Sequence, residues 1–205
     1  MRLVDTAAEQ ALLEQLLEAS KPPLPESAGA RGYLLSTPFR YVSPWPSRFR
    51  PTGHAGVWYG AEQVATACAE VGYWRWRFLT DSDALRDQVL LVEFTVFEAR
   101  VTGRSIDLTA PPWSRSRALW LDPADYTACH ALAAAARQRG IQWIRYASVR
   151  DSSHGPCGAV FDVDALSLPR PAMQQTWAAR VRRERVTFSR DSLSLEFDPA
   201  DWERG

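Results

Sequence analysis

Residues 57–74 read VWYGAEQVATACAEVGYW, and this stretch indicates the fold class more clearly than its surroundings do. Residues 57–59 have the β-branched and aromatic character that is typical of a strand. From residue 62 to residue 74, apolar side chains recur at helical spacing, which predicts a helix directly after the strand. This stretch therefore predicts a strand followed directly by a helix, which indicates a fold that mixes α and β structure.

Further elements are predicted on both sides of this stretch. Thr6 and Glu9 match a capping box that begins a leucine-rich helix over residues 6–20, and residues 39–42 read as a short strand. A helix over residues 122–139 opens with an N-cap and a proline. The remaining predicted strands span residues 88–102, 106–108, 141–149, 159–164, 181–188 and 194–197, the last two as a hairpin.

Strands outnumber helices and do not alternate strictly with them. This order predicts an α+β fold, a compact mixed sheet with flanking helices. A chain of 205 residues suits one domain, with its core over about residues 37–166, the N-terminal helix before it and strands after it.

Composition and charge exclude several classes of function. The 24 basic and 24 acidic residues balance, which argues against direct nucleic-acid binding. No signal peptide and no apolar run of roughly 20 residues are found, so we expect no membrane contact and a cytoplasmic protein. The sequence has no dinucleotide-binding, Walker A or HExxH motif, and its histidines and cysteines lack metal-ligand spacing. We therefore expect neither a metal nor a bound cofactor.

The segment SRFRPTGHAGVWY, residues 47–59, is the first candidate for a site. Arg48 and Arg50 lie in a loop rich in glycine and proline, where a diphosphate would find bidentate partners. Tyr59 ends the predicted strand, a usual place for a residue that lines a cleft. His54 lies in the same loop and is a further candidate for contact with substrate.

Glu70 is the second candidate. At about 100° per residue, an apolar helix face is defined by Val64, Ala67, Cys68, Val71 and Trp74, and Glu70 lies on its edge. A half-buried carboxylate at such an edge could stabilise the oxocarbenium character of a sugar during cleavage of an N-glycosidic bond. An ordinary helix glutamate paired with an arginine is the alternative.

The third candidate is the end of the strand over residues 141–149. Ser148 and Asp151 emerge there in a polar turn. The serine hydroxyl could hold a ribose hydroxyl or an amide, or it could cap the turn.

These motifs together resemble the RES domain, a family named for an arginine, a glutamate and a serine. The resemblance rests on the arginine loop, on VWYGA (residues 57–61), on TACAE (66–70) and on RYASVRD (145–151), in that order. It implies a fold similar to ADP-ribosyltransferases of the diphtheria-toxin type, and toxins that deplete NAD+ by phosphorolysis or hydrolysis.

The resemblance also implies roles for individual residues. Arg48 matches the family arginine, expected to hold the NAD+ phosphates, and Tyr59 the tyrosine expected beside nicotinamide. Glu70 matches the glutamate expected to organise the ribose, and Ser148 the serine near that ribose. Many members read RWNPPG where this chain has RFRPTG, so Arg50 could share or take over the phosphate role.

Three functions follow as alternatives. The first is a toxin that cleaves NAD+ with phosphate or water as the nucleophile. The second is a transferase that places ADP-ribose on a macromolecule, with exposed tryptophans near Trp74 and Trp76 as its docking surface. The third is a non-catalytic NAD-binding module. The family further implies a partner, an Xre-type helix-turn-helix antitoxin, and the sequence leaves a homodimer open.

Overall fold

The computed structural model describes residues 6–23, 28–29 and 31–203. Six α-helices and eight strands lie in this part of the chain. Their order is α1 (Ala7–Ser20), α2 (Tyr33–Arg40), β1 (Trp58–Ala61), α3 (Val64–Thr80), β2 (Leu90–Glu98), β3 (Ser105–Asp107), α4 (Arg117–Trp120), α5 (Thr127–Gln138), β4 (Trp143–Ala147), β5 (Pro156–Val160), β6 (Met173–Val181), β7 (Val186–Arg190), β8 (Leu193–Phe197) and α6 (Pro199–Glu203).

The strands form two sheets of four strands each. The first has the order β1-β5-β4-β3, in which only β3 and β4 are parallel, and the second is the antiparallel sheet β2-β6-β7-β8. The predicted α+β class is confirmed, whereas the prediction of a single mixed sheet is wrong. The sheets separate because β2 pairs along all nine of its residues with β6 and not with a strand of the first sheet.

Helices cover both faces of the first sheet. On one face, α5 packs its buried Cys129, Ala133 and Ala136 against β4 and β5. On the other face, Leu35 of α2 packs against Trp58 of β1. Because each strand alternates its side chains between faces, one sheet separates two apolar clusters.

Helix α3 packs against strands of both sheets and so joins them. It approaches β7 closely at Gly72, where a Cβ atom would lie 3.2 Å from Phe188 Cε2 and 3.3 Å from Val186 Cγ1. The buried face of α3 differs from the predicted one, since Val71 and Trp74 are exposed by 39% and 57%. Cys68 of the predicted face is buried, and contact with two sheets also buries Tyr73, Trp76 and Leu79 in a wider arc.

Two predicted elements differ from those observed. Residues 39–42 are not a strand, because Phe39 belongs to α2, whose buried Leu35 contributes to the core. The helix predicted over residues 122–139 begins at Thr127. Asp122 instead accepts hydrogen bonds from the backbone of Ala124 and Asp125, which makes a turn before the helix.

The N-terminal helix and the C-terminal hairpin are confirmed. Thr6 and Glu9 exchange side chain to backbone hydrogen bonds of 3.0 and 3.1 Å, as a capping box requires. Strands β7 and β8 pair through a turn at Asp191, which has a φ of 53°. The strand predicted over residues 181–188 is instead the end of β6, a turn and the start of β7. No helix in the described residues is long and apolar enough to cross a bilayer.

Phe188 tests the packing of α3 on the second sheet. This side chain is 1% exposed and contacts the rings of Phe94 and Phe197. We expect Phe188→Ala to lower the free energy of unfolding by about 3–5 kcal/mol in urea denaturation, because it leaves a cavity in the core. Leu193→Ala, in the same hairpin but 58% exposed, should change it by less than about 0.5 kcal/mol. Equal losses would contradict this account of the core.

Candidate active site

A short, internally bonded turn presents the first arginine of the site. Ser47 and Arg50 exchange two backbone hydrogen bonds of 2.9 and 3.0 Å, and Phe49 between them is fully buried in the core. The Tyr59 hydroxyl lies 2.8 Å from Ser47 Oγ and accepts a hydrogen bond from Phe49 N at 3.1 Å. With Phe49 as the anchor, the turn leaves Arg48 on the inner side, where it is only 8% exposed.

Backbone carbonyl groups, not carboxylates, hold Arg48. Its Nη1 donates to the carbonyl oxygens of Trp120 and Asp122 at 2.8 and 2.9 Å. The guanidinium carbon lies 4.9 Å from the centre of the Tyr126 ring, a cation–π distance. These contacts orient the charge of Arg48, and they include no ion pair among the described residues.

Ser148 joins the end of β4 to the middle of α3. Its hydroxyl donates to Glu70 Oε1 at 2.5 Å and accepts from the backbone N–H groups of Arg150 and Asp151 at 3.1 and 3.0 Å. The hydroxyl thus caps a turn, which is one of the two alternatives from the sequence, and it also binds the candidate carboxylate. Its predicted contact with a ribose hydroxyl or an amide stays a prediction. Ser148 is fully buried, so it orients Glu70 and does not face the cavity itself.

Arg150 is a second buried arginine that the sequence reasoning missed. It is 6% exposed, its Nη2 donates to the carbonyl of Pro123 at 2.9 Å, and its guanidinium lies 3.7 Å from the centre of the Tyr73 ring. The signal that could have revealed it is its place two residues after Ser148, in the same polar turn that had drawn attention to Asp151.

A cavity of about 310 Å³ brings these groups together. Its charged lining residues are Arg48, Glu70 and Arg150. The rest of its wall is apolar or weakly polar and is formed by Ser47, Tyr59, Gly60, Ala61, Ala67, Val71, Trp74, Tyr126, Tyr146, Val149 and Cys157. The cavity therefore offers one carboxylate, two cations and aromatic surfaces.

The other predicted residues lie outside the lining of this cavity. Asp151 accepts a hydrogen bond from Thr66 Oγ1 at 2.7 Å, which ties the turn to the start of α3. Arg50 donates to the carbonyl of Trp45 at 2.9 Å, and His54 is exposed in its loop. Their predicted contacts with substrate stay predictions.

The environment of Glu70 favours its protonated form. Burial raises the pKa of the Glu70 carboxyl, while the Ser148 hydrogen bond and the charges of Arg48 and Arg150 oppose that rise. Burial also raises the pKa of the Cys157 thiol to about 12, so this thiol is not ionised at neutral pH and is a poor nucleophile.

Within the described residues, no three His, Cys, Asp or Glu side chains are grouped to hold a metal ion.

The comparisons with known proteins identify one family. The model of the RES domain family matches residues 24–186, a wider span than the motifs from which the resemblance was inferred. No curated protein matches the chain.

Glu70 should make stability depend on pH. Its pKa in the folded protein is above the ordinary value of 4.5, so ionisation opposes folding as the pH rises from 4.5 through the raised pKa. We expect Glu70→Gln to be more stable than the parent protein at pH 8, and the difference to shrink towards pH 5, in urea denaturation at both values.

Glu62 provides the matched control with the opposite sign. Arg145 binds both of its carboxylate oxygens, at 2.6 and 3.0 Å, and the hydrogen bond lowers the pKa of Glu62. Its contribution to stability is present above pH 4.5 and is lost as the pH falls through the lowered pKa. Glu62→Gln should therefore be less stable than the parent protein at pH 8. A gain in both variants would contradict the assignment.

Proposed function

The chain belongs to the RES domain family, and from that premise we propose that it is an enzyme that breaks the bond between nicotinamide and ribose in NAD+. The observation that carries the proposal is a single carboxylate, Glu70, in a cavity that also holds two buried arginines. A dinucleotide has the complementary charges, since its diphosphate is anionic and its ribose becomes cationic as the bond breaks.

The reaction needs little proton transfer at the leaving group. Nicotinamide is bound in NAD+ as a pyridinium, so its ring nitrogen takes the electron pair of the broken bond and leaves as a neutral molecule. The ribose carbon then acquires oxocarbenium character. A site for this step requires a negative charge beside the ribose and no strong general acid, which fits a cavity without histidine.

Glu70 supplies that negative charge in the proposed mechanism. In the low-dielectric cavity its ionised form would interact strongly with the ribose cation. Ser148 fixes one carboxylate oxygen, Oε1, and leaves Oε2 for the substrate. A buried carboxylate that is oriented before the reaction has little reorganisation to undergo during it.

The remaining walls suit the other parts of the substrate. We propose that Arg48 binds a phosphate oxygen, because it lines the cavity and guanidinium groups form bidentate contacts with phosphates. The rings of Tyr59, Tyr126 and Trp74 offer flat surfaces for nicotinamide. A volume of about 310 Å³ is near the lower end of the range for ligand pockets, so we propose that it encloses the nicotinamide–ribose end and that adenosine lies outside.

ADP-ribosyl transfer to a macromolecule is the second candidate. Val71 and Trp74 line the cavity and are also exposed, so they form an apolar rim at its mouth. Such a rim could receive an acceptor protein in place of phosphate or water. Nicotinamide release that requires an added protein would favour this candidate over NAD+ degradation, and binding without release would favour a non-catalytic module.

The family also motivates a wider set of proposals. We propose that the chain acts as a cytoplasmic toxin, that its fold is similar to that of ADP-ribosyltransferases, and that an Xre-type antitoxin restrains it. NAD+ is then the substrate and not a resident cofactor, with inorganic phosphate as a candidate co-substrate. A homodimer remains one candidate assembly.

Release of nicotinamide from NAD+ tests the proposal directly. Purified protein should release it, and Glu70→Gln should slow the release by about 100-fold or more, because the charge that stabilises the ribose cation is lost. Glu62→Gln, which changes a surface carboxylate, should keep the parent rate. Reactions with and without phosphate identify the nucleophile. If the folded parent protein released no nicotinamide, the proposed NAD+ cleavage would be rejected.

Ser148 should move the pH profile of the same reaction. The ionised form of Glu70 is the active one here, so the rate rises with pH through the Glu70 pKa, which the Ser148 hydrogen bond lowers. Ser148→Ala removes that bond, so the acidic limb of the pH profile should shift to higher pH. A lower rate with an unmoved limb would mean that Ser148 acts only by capping its turn.

A further inference from the structure

We infer that Arg150 and Arg48 together form a phosphate-binding site, and that Trp202, outside the matched family region, positions Arg150 for this role. The inference deepens the proposed function by naming a second residue for the anionic part of the substrate. Four observations support it: the charge balance of the cavity, the lack of ion pairs at either arginine among the described residues, the unused donors of Arg150 and the contact with the C-terminal helix.

The charge balance of the cavity favours an anion. Its charged lining residues are two arginines and one glutamate, so the sum is positive even when Glu70 is ionised. The raised pKa of Glu70 makes the cavity more positive still at acidic pH. A positive charge in a partly enclosed, apolar cavity is unfavourable unless a ligand compensates it.

Among the described residues, neither arginine forms an ion pair, although both charges act on the Glu70 carboxylate from a greater distance. Buried arginines in proteins are ordinarily paired with an acidic group. Carbonyl oxygens of one loop, residues 120–126, bind both guanidinium groups instead and set their positions relative to each other.

Arg150 keeps hydrogen-bond donors for a ligand. Among the described residues, only the carbonyl of Pro123 accepts from its guanidinium, through Nη2. Nε and Nη1 have no hydrogen-bond partner within the part of the chain that the structure describes, and they are not sealed from solvent. The guanidinium carbon lies 3.7 Å over the centre of the Tyr73 ring, and this contact restricts the movement of the group, which favours bidentate binding of a phosphate.

Trp202 contacts both the backbone of Arg150 and the ring on which its guanidinium lies. Its indole N–H donates to the backbone carbonyl of Arg150 at 2.7 Å. The centre of its ring lies 5.8 Å from the centre of the Tyr73 ring, over which the Arg150 guanidinium lies. Trp202 lies in α6, beyond the matched span that ends at residue 186. The segment after that span therefore supports a residue within it.

The ligand chemistry is a phosphate oxyanion, which has two sources in the proposed reaction. It is either the diphosphate of the dinucleotide or free inorganic phosphate that acts as the acceptor. We distinguish the two by measuring the binding of ADP and of inorganic phosphate separately, by calorimetry, at matched ionic strength.

Arg150→Gln is the first test. We expect it to weaken the binding of at least one of the two probes by about tenfold or more, since it removes a charge-assisted contact. Loss for ADP alone assigns the diphosphate, and loss for phosphate alone assigns the acceptor. Arg183→Gln, at an exposed arginine, should leave both affinities unchanged. Unchanged affinities in Arg150→Gln, or no binding of either probe to the parent protein, would overturn the inference.

Trp202→Phe tests the positioning role, with Trp76→Phe as its matched control. Both indoles are buried, and each donates one hydrogen bond to a backbone carbonyl, Trp76 to that of Arg183 at 2.9 Å. We expect similar losses of stability in thermal unfolding but weaker anion binding only in Trp202→Phe. Equal affinities in the two variants would show that Trp202 is merely structural.

These outcomes separate the inference from the proposed function. Anion binding that depends on Arg150, in a protein that releases no nicotinamide, would leave the inference standing and reject NAD+ cleavage. Release of nicotinamide that Arg150→Gln does not alter, together with unchanged anion affinity, would reject the inference and leave NAD+ cleavage standing.

Discussion

The hydrogen bond from Ser148 to Glu70 is the interaction on which the site depends. It connects the turn after β4 to α3, and α3 in turn contacts both sheets. A second bond, from Thr66 to Asp151, fixes the same turn one helical turn earlier on α3. Because the turn also contains Arg150, these two bonds fix the carboxylate and one of the two cations of the cavity as a unit. The other cation, Arg48, reaches the cavity from a separate loop whose geometry Phe49 and Tyr59 determine.

The site is assembled at the expense of local stability. Burial opposes the ionisation of Glu70, and both arginines are held by neutral carbonyl groups. A core that served only folding would place apolar side chains at these positions. The rest of the molecule offsets this with well-packed clusters, such as the aromatic residues that α3, α6 and the second sheet bury together. A ligand that matched the charges would stabilise the folded chain further.

Local patterns predicted the residues whose environment depends on local geometry. The periodicity of α3 placed Glu70 at the edge of an apolar face, and Glu70 does line the cavity, although Val71 and Trp74 line it with exposed side chains. Patterns could not show that β2 pairs with β6, because that register joins residues about 80 positions apart, and so one sheet was predicted where two exist. Arg150 was missed for the same reason. Its acceptor, its aromatic platform and its support at Trp202 all come from distant parts of the chain.

The protonated state of Cys157 has a consequence for the chemistry that the cavity tolerates. All three cysteines are buried and free, and burial holds the pKa of Cys157 at about 12. Peroxides and alkylating agents react with thiolates, so this thiol is protected although it lies in the cavity wall. The cavity should keep its shape and charge when its surroundings turn oxidising. Whether the cavity is occupied would then depend on the concentration of its ligands and not on the redox potential of its surroundings.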